Sequence, residues 1–155
     1  MKNRNIGSRL VRIGLLLLLL GSLVLPSVLS AKEDLSEYGN PFTWVTVGKV
    51  KIKAEVVKSL EKMLQGLGQH PELPEGRGML FIMPELGVHY FRMRNMRFPI
   101  DIIWLASGRV VGITKNISPQ DPEAYPSPEP VDYVLEVPGG FCERSGIKVG
   151  DKAAW

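Results

Sequence analysis

Hydrophobic and charged residues alternate along one stretch of the chain, VTVGKVKIKAEVV. The apolar positions are Val50, Ile52, Ala54 and Val56, and the charged positions between them are Lys49, Lys51, Lys53 and Glu55. A period of two residues is typical of a strand with one buried and one solvated face, and outward lysines discourage edge-to-edge pairing. The pattern therefore predicts a half-buried strand whose charged residues, Glu55 included, face solvent.

The hydrophobic period changes in the next stretch, VVKSLEKMLQGLG. Apolar residues recur there at the spacing of a helix, at Val57, Leu60, Met63, Leu64 and Leu67. A glycine at position 66 or 68 supplies a stop signal. This stretch predicts one small helix.

Short apolar runs separated by turn residues fill the rest of the chain. MLFIM predicts a buried strand, ELGVHYFRMRNMRFPIDIIWL two strands bent near Asn95 to Pro99, and VDYVLEVPGGF and SGIKVGDKAAW one strand each. Ser107-Gly108 is a hairpin signal, and the proline-rich segment Ser118–Pro130 predicts a long loop. One small helix among six to seven short strands predicts a mostly β fold, a compact β-sandwich or partly open barrel.

The N-terminal thirty residues have the layout of an export signal. Four basic residues, Lys2, Arg4, Arg9 and Arg12, precede the apolar run IGLLLLLLGSLVLPSVL. Because this run is shorter than the roughly 20 residues of a bilayer-spanning helix, two interpretations stay open: a cleaved signal peptide, or an N-terminal anchor in the inner membrane formed by residues 13–29. Both predict an exported domain, periplasmic or extracellular. The predicted organisation is a leader over residues 1–31, a polar tether over 32–43 and a single β-rich domain over 44–155.

Removing the leader changes the charge of the protein. The whole chain has 19 basic and 16 acidic residues, and the leader takes four basic residues and no acid with it. The remaining part has a net charge of about −1, which removes the global support for nucleic-acid binding. The single cysteine, Cys142, excludes an intramolecular disulfide, and its neighbour Phe141 indicates a buried, inert thiol.

Two carboxylates stand within apolar strands. Asp101 lies in RFPIDIIWL with apolar residues on both faces of its strand, and Glu136 lies in YVLEVP. A buried carboxylate needs an arginine, backbone N–H groups or a raised pKa. Three interpretations stay open: both residues are structural, both take part in binding, or the two act as a general acid and base.

An arginine cluster and several methionines complete the candidate chemistry. Arg92, Arg94 and Arg97 precede Asp101, and their guanidinium groups suit an anionic ligand, a partner for Asp101, or simply solvent. Methionines at positions 79, 83, 93 and 96 around His89 invite a Cu(I) interpretation, but repeated Met-x-x-Met or His clusters are missing. We therefore predict no metal site and no cofactor.

Four segments together resemble a known family. GRGMLFIMP, FRMRNMRFPIDIIWL, YVLEVPGGF and SGIKVGD occur in the order and spacing of domain-of-unknown-function family 192 (DUF192), over roughly residues 49–153. The resemblance implies a small, often exported prokaryotic domain with a β-sandwich fold and no settled activity. The family pattern marks Gly78, Met79, Leu80, Phe81, Met93, Pro99, Asp101, Glu136, Gly140, Gly150 and Asp151.

The chain also departs from the family pattern. Many members have an aromatic residue where Arg92 stands and an Asn-Thr pair where Asn95-Met96 stand. The usual Gly-Leu-Met-x-Arg after the helix is GLGQH here, so that Gly68 and His70 replace the methionine and the arginine. Arg77 is a candidate to substitute for that arginine.

These observations predict an exported binding or accessory domain of the cell envelope. The candidate binding residues are Arg92, Arg94, Asn95, Asp101 and Glu136, and no catalytic residue is identified. The expected partner is a small ligand or an envelope protein, with no nucleic acid and with membrane contact only through an uncleaved N-terminal segment. The alternative is a cell-envelope hydrolase that uses Asp101 and Glu136 as acid and base.

Overall fold

A computed structural model describes residues 34–155, so the predicted leader lies outside the described residues. This part of the chain forms nine strands and two short helices. In chain order they are β1 Phe42–Val47, β2 Val50–Val57, α1 Leu60–Gln65, β3 Arg77–Gly87, β4 Tyr90–Arg92, β5 Ile100–Ala106, β6 Arg109–Ile117, β7 Ala124–Pro126, β8 Val131–Pro138, α2 Phe141–Ser145 and β9 Ala153–Ala154. Between residues 34 and 155, neither helix has the length and apolar character needed to cross a membrane.

Seven of the strands form one curved sheet, which makes a half-barrel. Their order is β6-β5-β8-β3-β2-β1-β9, and only the β2–β3 pair is parallel. The remaining two strands, β4 and β7, pair with each other as a separate antiparallel ribbon. The prediction of a mostly β, partly open barrel is confirmed.

Both faces of the sheet are covered. On one face, here called the α2 face, Leu80, Leu135 and Val137 pack with Phe141 and Cys142 of helix α2. On the other, the ribbon face, the side chain of Phe91 from β4 makes edge contacts with the rings of Phe81 and Trp104, at centroid distances of 5.0 and 5.6 Å. Because it is covered on both sides, β5 is buried along its whole length.

Three elements differ from the sequence prediction. The alternating stretch is two antiparallel strands, β1 and β2, because Gly48 adopts a left-handed φ of +59° and reverses the chain. A second helix, α2, follows β8 and is bounded by two left-handed glycines, Gly140 and Gly146. The proline-rich loop contains strand β7, because its residues pair with β4. The predicted hairpin at Ser107-Gly108 is present, with both residues at positive φ.

The described part of the predicted tether packs against the domain. Residues 34–41, here called the strap, fold back on themselves through a bridge between Leu35 and Pro41. The ring of Tyr38 stacks on the ring of His70, with centroids 3.8 Å apart. The strap covers the outer face of β2, so Glu55 is 8% exposed rather than solvent-facing as its alternation predicts.

Asp101 joins three elements through its carboxylate, which is completely buried. Its Oδ1 atom accepts the N–H groups of Asn116 at 2.7 Å and Gly140 at 2.8 Å, and its Oδ2 atom accepts the N–H of Cys142 at 2.8 Å. Backbone donors therefore hold this charge, and none of the arginines proposed as its partners is needed. Burial, reinforced by the negative charge of Asp101, raises the pKa of the Cys142 thiol and keeps it protonated.

We expect Asp101→Asn to lower the free energy of unfolding by about 2–4 kcal/mol, because an amide NH2 group would face a buried N–H donor. Urea denaturation at neutral pH measures this loss. Asp121→Asn is the matched control, since Asp121 accepts a single backbone N–H, from Glu123 at 2.9 Å, in an exposed loop. A loss at position 101 no larger than that of the control would contradict a structural role for Asp101.

Candidate functional site

An open apolar groove lies on the ribbon face, between helix α1 and strand β4. Its cavity volume is about 270 Å³, close to the lower end of the range for small-ligand sites. The apolar lining residues are Leu60, Met63, Leu64, Leu67, Phe81, Met83, Tyr90, Phe91 and Met96. Three charged or titratable residues also line it: Arg92, Arg94 and Glu136. This site is called the groove below.

Helix α1 forms one wall of the groove. It begins after Ser59, whose Oγ atom accepts the N–H of Lys62 as an N-cap. Of the predicted apolar stripe, Leu67 is buried in the core, whereas Leu60 and Leu64 are 72% and 69% exposed. Two large leucines on one helix therefore present an unfilled apolar surface at the groove.

Strand β4 and the bend after it form the opposite wall. Pairing with β7 and the wedge of Phe91 hold β4 on the sheet, and Tyr90 is left 68% exposed. The carbonyl oxygen of Arg94 would lie only 3.0 Å from a Cβ atom added at Gly68, so a larger residue at position 68 would push the bend away. Asn95 turns the chain at a φ of +58° and does not line the groove.

Glu136 lies at the floor of the groove and is 6% exposed. It sits between Met79 and Ile102 of the neighbouring strands, so its side chain shares their ribbon face. Burial raises the pKa of Glu136 to about 8, and no charge or hydrogen bond from residues 34–155 opposes this shift. At neutral pH the side chain is therefore mostly an uncharged carboxylic acid, which can donate a hydrogen bond as well as accept one.

The arginines lie at the rim of the groove. Both Arg92 and Arg94 are exposed, and Nη1 of Arg92 donates to the carbonyl of Pro122 at 3.3 Å. Arg97, in the same bend, is exposed but does not line the groove. The groove thus combines an apolar body, a cationic rim and a neutral acid at its floor.

The structure brings together Arg92, Arg94 and Glu136 among the predicted site residues, and it separates Asp101 from them. Asp101 pairs with Val137, and Ile102 pairs with Glu136, across neighbouring strands. Because successive side chains of a strand point to opposite faces, the two carboxylates lie on opposite sides of the sheet. They do not form the acid–base pair that the hydrolase alternative requires.

The methionines of the copper interpretation are also divided. Met79 and Met93 are buried in the core, whereas Met83 and Met96 line the groove. His89 places its Nε2 atom 3.0 Å from the backbone carbonyl of Glu85. Within residues 34–155, no three His, Cys, Asp or Glu side chains come together in a way that could hold a metal ion.

Sequence reasoning missed a buried polar cluster under the strap. Its centre is Glu55, whose Oε1 atom lies 2.8 Å from Nε2 of His70 and whose Oε2 atom accepts hydrogen bonds from Asn40 and Ser36. The alternation of β2 places Glu55 in solvent, and only the packing of the strap reverses that prediction. The one sequence signal for this cluster is the scarcity of histidine: the whole chain has two, and neither stands in a recognisable motif.

Comparisons with known proteins agree with this architecture. A crystal structure of a protein of unknown function from Novosphingobium aromaticivorans DSM 12444 superimposes with a TM-score of 0.77 and 32% sequence identity, covering 81% of this chain and 94% of the other. A second crystal structure, described as a "putative transcription regulator" from Sinorhizobium meliloti 1021, has a TM-score of 0.70 and 27% identity, covering 74% and 94% of the two chains. No curated protein matches the sequence.

The family model of DUF192, described as an uncharacterized ACR, matches residues 43–155. This span includes the sheet, the groove and both helices. The chain therefore belongs to the DUF192 family.

Proposed function

We propose that this protein is an exported binding domain of the cell envelope whose groove takes one small amphipathic molecule with an apolar body and an anionic head. The basic residues and apolar run of the leader support export. The observation that carries the binding role is the open groove itself, with exposed Leu60 and Leu64 on one wall, two arginines at the rim and buried Glu136 at the floor.

The lining of the groove selects the body of the ligand. Exposed Leu60, Leu64 and Tyr90 lose contact with water only when a ligand covers them, and this burial drives association. Met83 and Met96 can adapt their flexible side chains to the shape of an apolar chain. An apolar body is therefore favoured over a sugar.

Charge selects the head group. Arg92 and Arg94 supply positive charge at the rim, where a carboxylate or phosphate head can pair with either guanidinium group while it stays near solvent. At the floor, neutral Glu136 can donate to an oxygen on the ligand, whereas an ionised carboxylate would repel an anion. The raised pKa of Glu136 is thus compatible with an anionic ligand.

A role in transcription, suggested by the description of the Sinorhizobium structure, is not carried over to this chain. The part of the chain after the leader has a net charge of about −1, without the basic excess that most nucleic-acid-binding domains have.

Octanoate tests the binding role directly, because it combines an eight-carbon chain with a carboxylate. Calorimetric titration of the full-length protein should show binding of octanoate and weaker binding of octylammonium, whose charge is opposite. Arg94→Ala should weaken octanoate binding about twofold to fivefold, because one exposed rim charge is lost. Arg97→Ala is the matched control and should leave the affinity unchanged, since Arg97 is exposed in the same bend but lies outside the groove.

A second pair of variants tests the apolar wall. Leu64→Asp should abolish binding of octanoate to the groove, whereas Leu86→Asp should preserve it. Both leucines are similarly exposed, at 69% and 65%, but only Leu64 lines the groove. Equal effects of the two substitutions, or an octylammonium affinity equal to that of octanoate, would overturn the proposal.

The neutral state of Glu136 predicts a pH dependence of stability. Its pKa of about 8 in the folded protein lies above the ordinary value of 4.5, so the folded protein keeps a proton that the unfolded chain releases. Stability should therefore be highest below pH 4.5 with respect to this group and fall as the pH rises to 8, by at most about 1.4 kcal/mol per pH unit. The Glu136→Gln variant should lack this loss.

Urea denaturation between pH 5 and pH 8.5 measures the free energy of unfolding of wild type and of Glu136→Gln. As the pH rises, the wild type should lose stability relative to the variant, and the difference between the two free energies should level off above pH 8. Glu85→Gln, which changes an exposed carboxylate, is the control and should give no such shift. A difference between wild type and Glu136→Gln that is constant across this range would show that Glu136 titrates as an ordinary carboxylate.

A further inference from the structure

A second cavity lies beneath the strap and shares no lining residue with the groove. Its volume is about 400 Å³, and residues of the strap, of β2, of the loop before β3 and of the start of β3 line it. The residues that matter for its chemistry are Phe42, Lys53, Glu55, His70 and Arg77. This cavity is called the strap pocket below.

The buried carboxylate in the strap pocket already has hydrogen-bond partners on both of its oxygens. His70 contacts one oxygen of Glu55, and Asn40 and Ser36 both donate to the other, at distances of 2.8, 2.8 and 2.9 Å. Burial favours the neutral form of this carboxyl, but the three hydrogen bonds outweigh burial, and the pKa of Glu55 lies below its usual value. Glu55 is thus a carboxylate whose charge is satisfied by these neighbours.

Arg77 lines the same pocket without an anionic partner. Its Nη1 atom is buried and has no hydrogen-bond partner, and its guanidinium makes no ion pair, among residues 34–155. The guanidinium carbon lies 5.2 Å from the ring centroid of Phe42, which holds the side chain in place. Lys53 approaches the same ring at 4.4 Å, but its ammonium group pairs with Asp34 at 2.6 Å.

The Nη1 group of Arg77 has given up water without gaining a replacement hydrogen bond, which is unfavourable. A carboxylate offers two acceptor oxygens that match the two parallel donors of a guanidinium group. We propose that the strap pocket is a second binding site, in which Arg77 holds the carboxylate of a small organic monocarboxylate.

The rim of the pocket limits the charge of this ligand. Glu37 and Glu72 line the pocket and are exposed, so they repel molecules that carry several negative charges. A single carboxylate can lie against Arg77 while its uncharged part contacts Leu35 and Leu73, which also line the cavity. The site therefore favours a monocarboxylate over inorganic phosphate.

Propionate is the probe for this site, and propionamide is its uncharged equivalent. In NMR titrations of the full-length protein at constant ionic strength, propionate should move the Nε–Hε signal of Arg77, whereas propionamide should leave it in place. Arg77→Gln should weaken propionate binding about tenfold or more, because the charged hydrogen-bonding fork is removed. Inorganic phosphate should bind more weakly than propionate.

Three further variants keep the proposal open to contradiction. Arg77→Lys preserves the charge and the contact with Phe42 but loses the fork, so it should fold and still bind propionate several-fold more weakly. Arg92→Gln and Arg94→Gln, at the rim of the groove, should leave the affinity unchanged, which distinguishes this site from the groove. Binding by Arg77→Lys equal to that of wild type, an unmoved Arg77 signal, a loss of affinity in Arg94→Gln, or tighter binding of phosphate would each overturn the proposal.

Discussion

Three backbone N–H groups that converge on the carboxylate of Asp101 hold the corner where β5, β6 and helix α2 meet. The charge is tolerated in a completely buried position because all three donors point at it. With this corner fixed, α2 covers one face of the half-barrel. The opposite face carries the ribbon and the groove.

Asp101 and Glu136 lie on neighbouring strands, one residue apart in register, but their carboxyl groups have opposite surroundings. Asp101 accepts hydrogen bonds on the α2 face, whereas Glu136, on the ribbon face, has no donor in the described part of the chain, and burial raises its pKa. The difference arises from the surroundings of the two side chains. One residue has become structural, and the other is left available at the floor of an apolar groove.

Local sequence patterns predict those parts of the fold that depend on local chemistry. The apolar run around Asp101, the Ser107-Gly108 hairpin and the bend at Asn95 follow from burial, turn propensity and strand length. The five-residue helix α2 is too short to show a helical period. The exposure of Leu60 and Leu64, and the burial of Glu55 under the strap, depend on how distant segments pack, which alternation along one strand cannot report. Three of the five predicted site residues, Arg92, Arg94 and Glu136, meet in the groove for the same reason: tertiary packing selects among locally plausible candidates.

The charge state of Glu136 is the central claim of this account, and its carboxyl carbon reports that state directly. A ¹³C NMR titration of the Glu136 side chain should give a midpoint near pH 8, with the exposed glutamates as internal references. A midpoint near the ordinary value of 4.5 would mean that the floor of the groove is charged and hydrated at neutral pH. That result would contradict the proposed binding of an amphipathic anion in the groove.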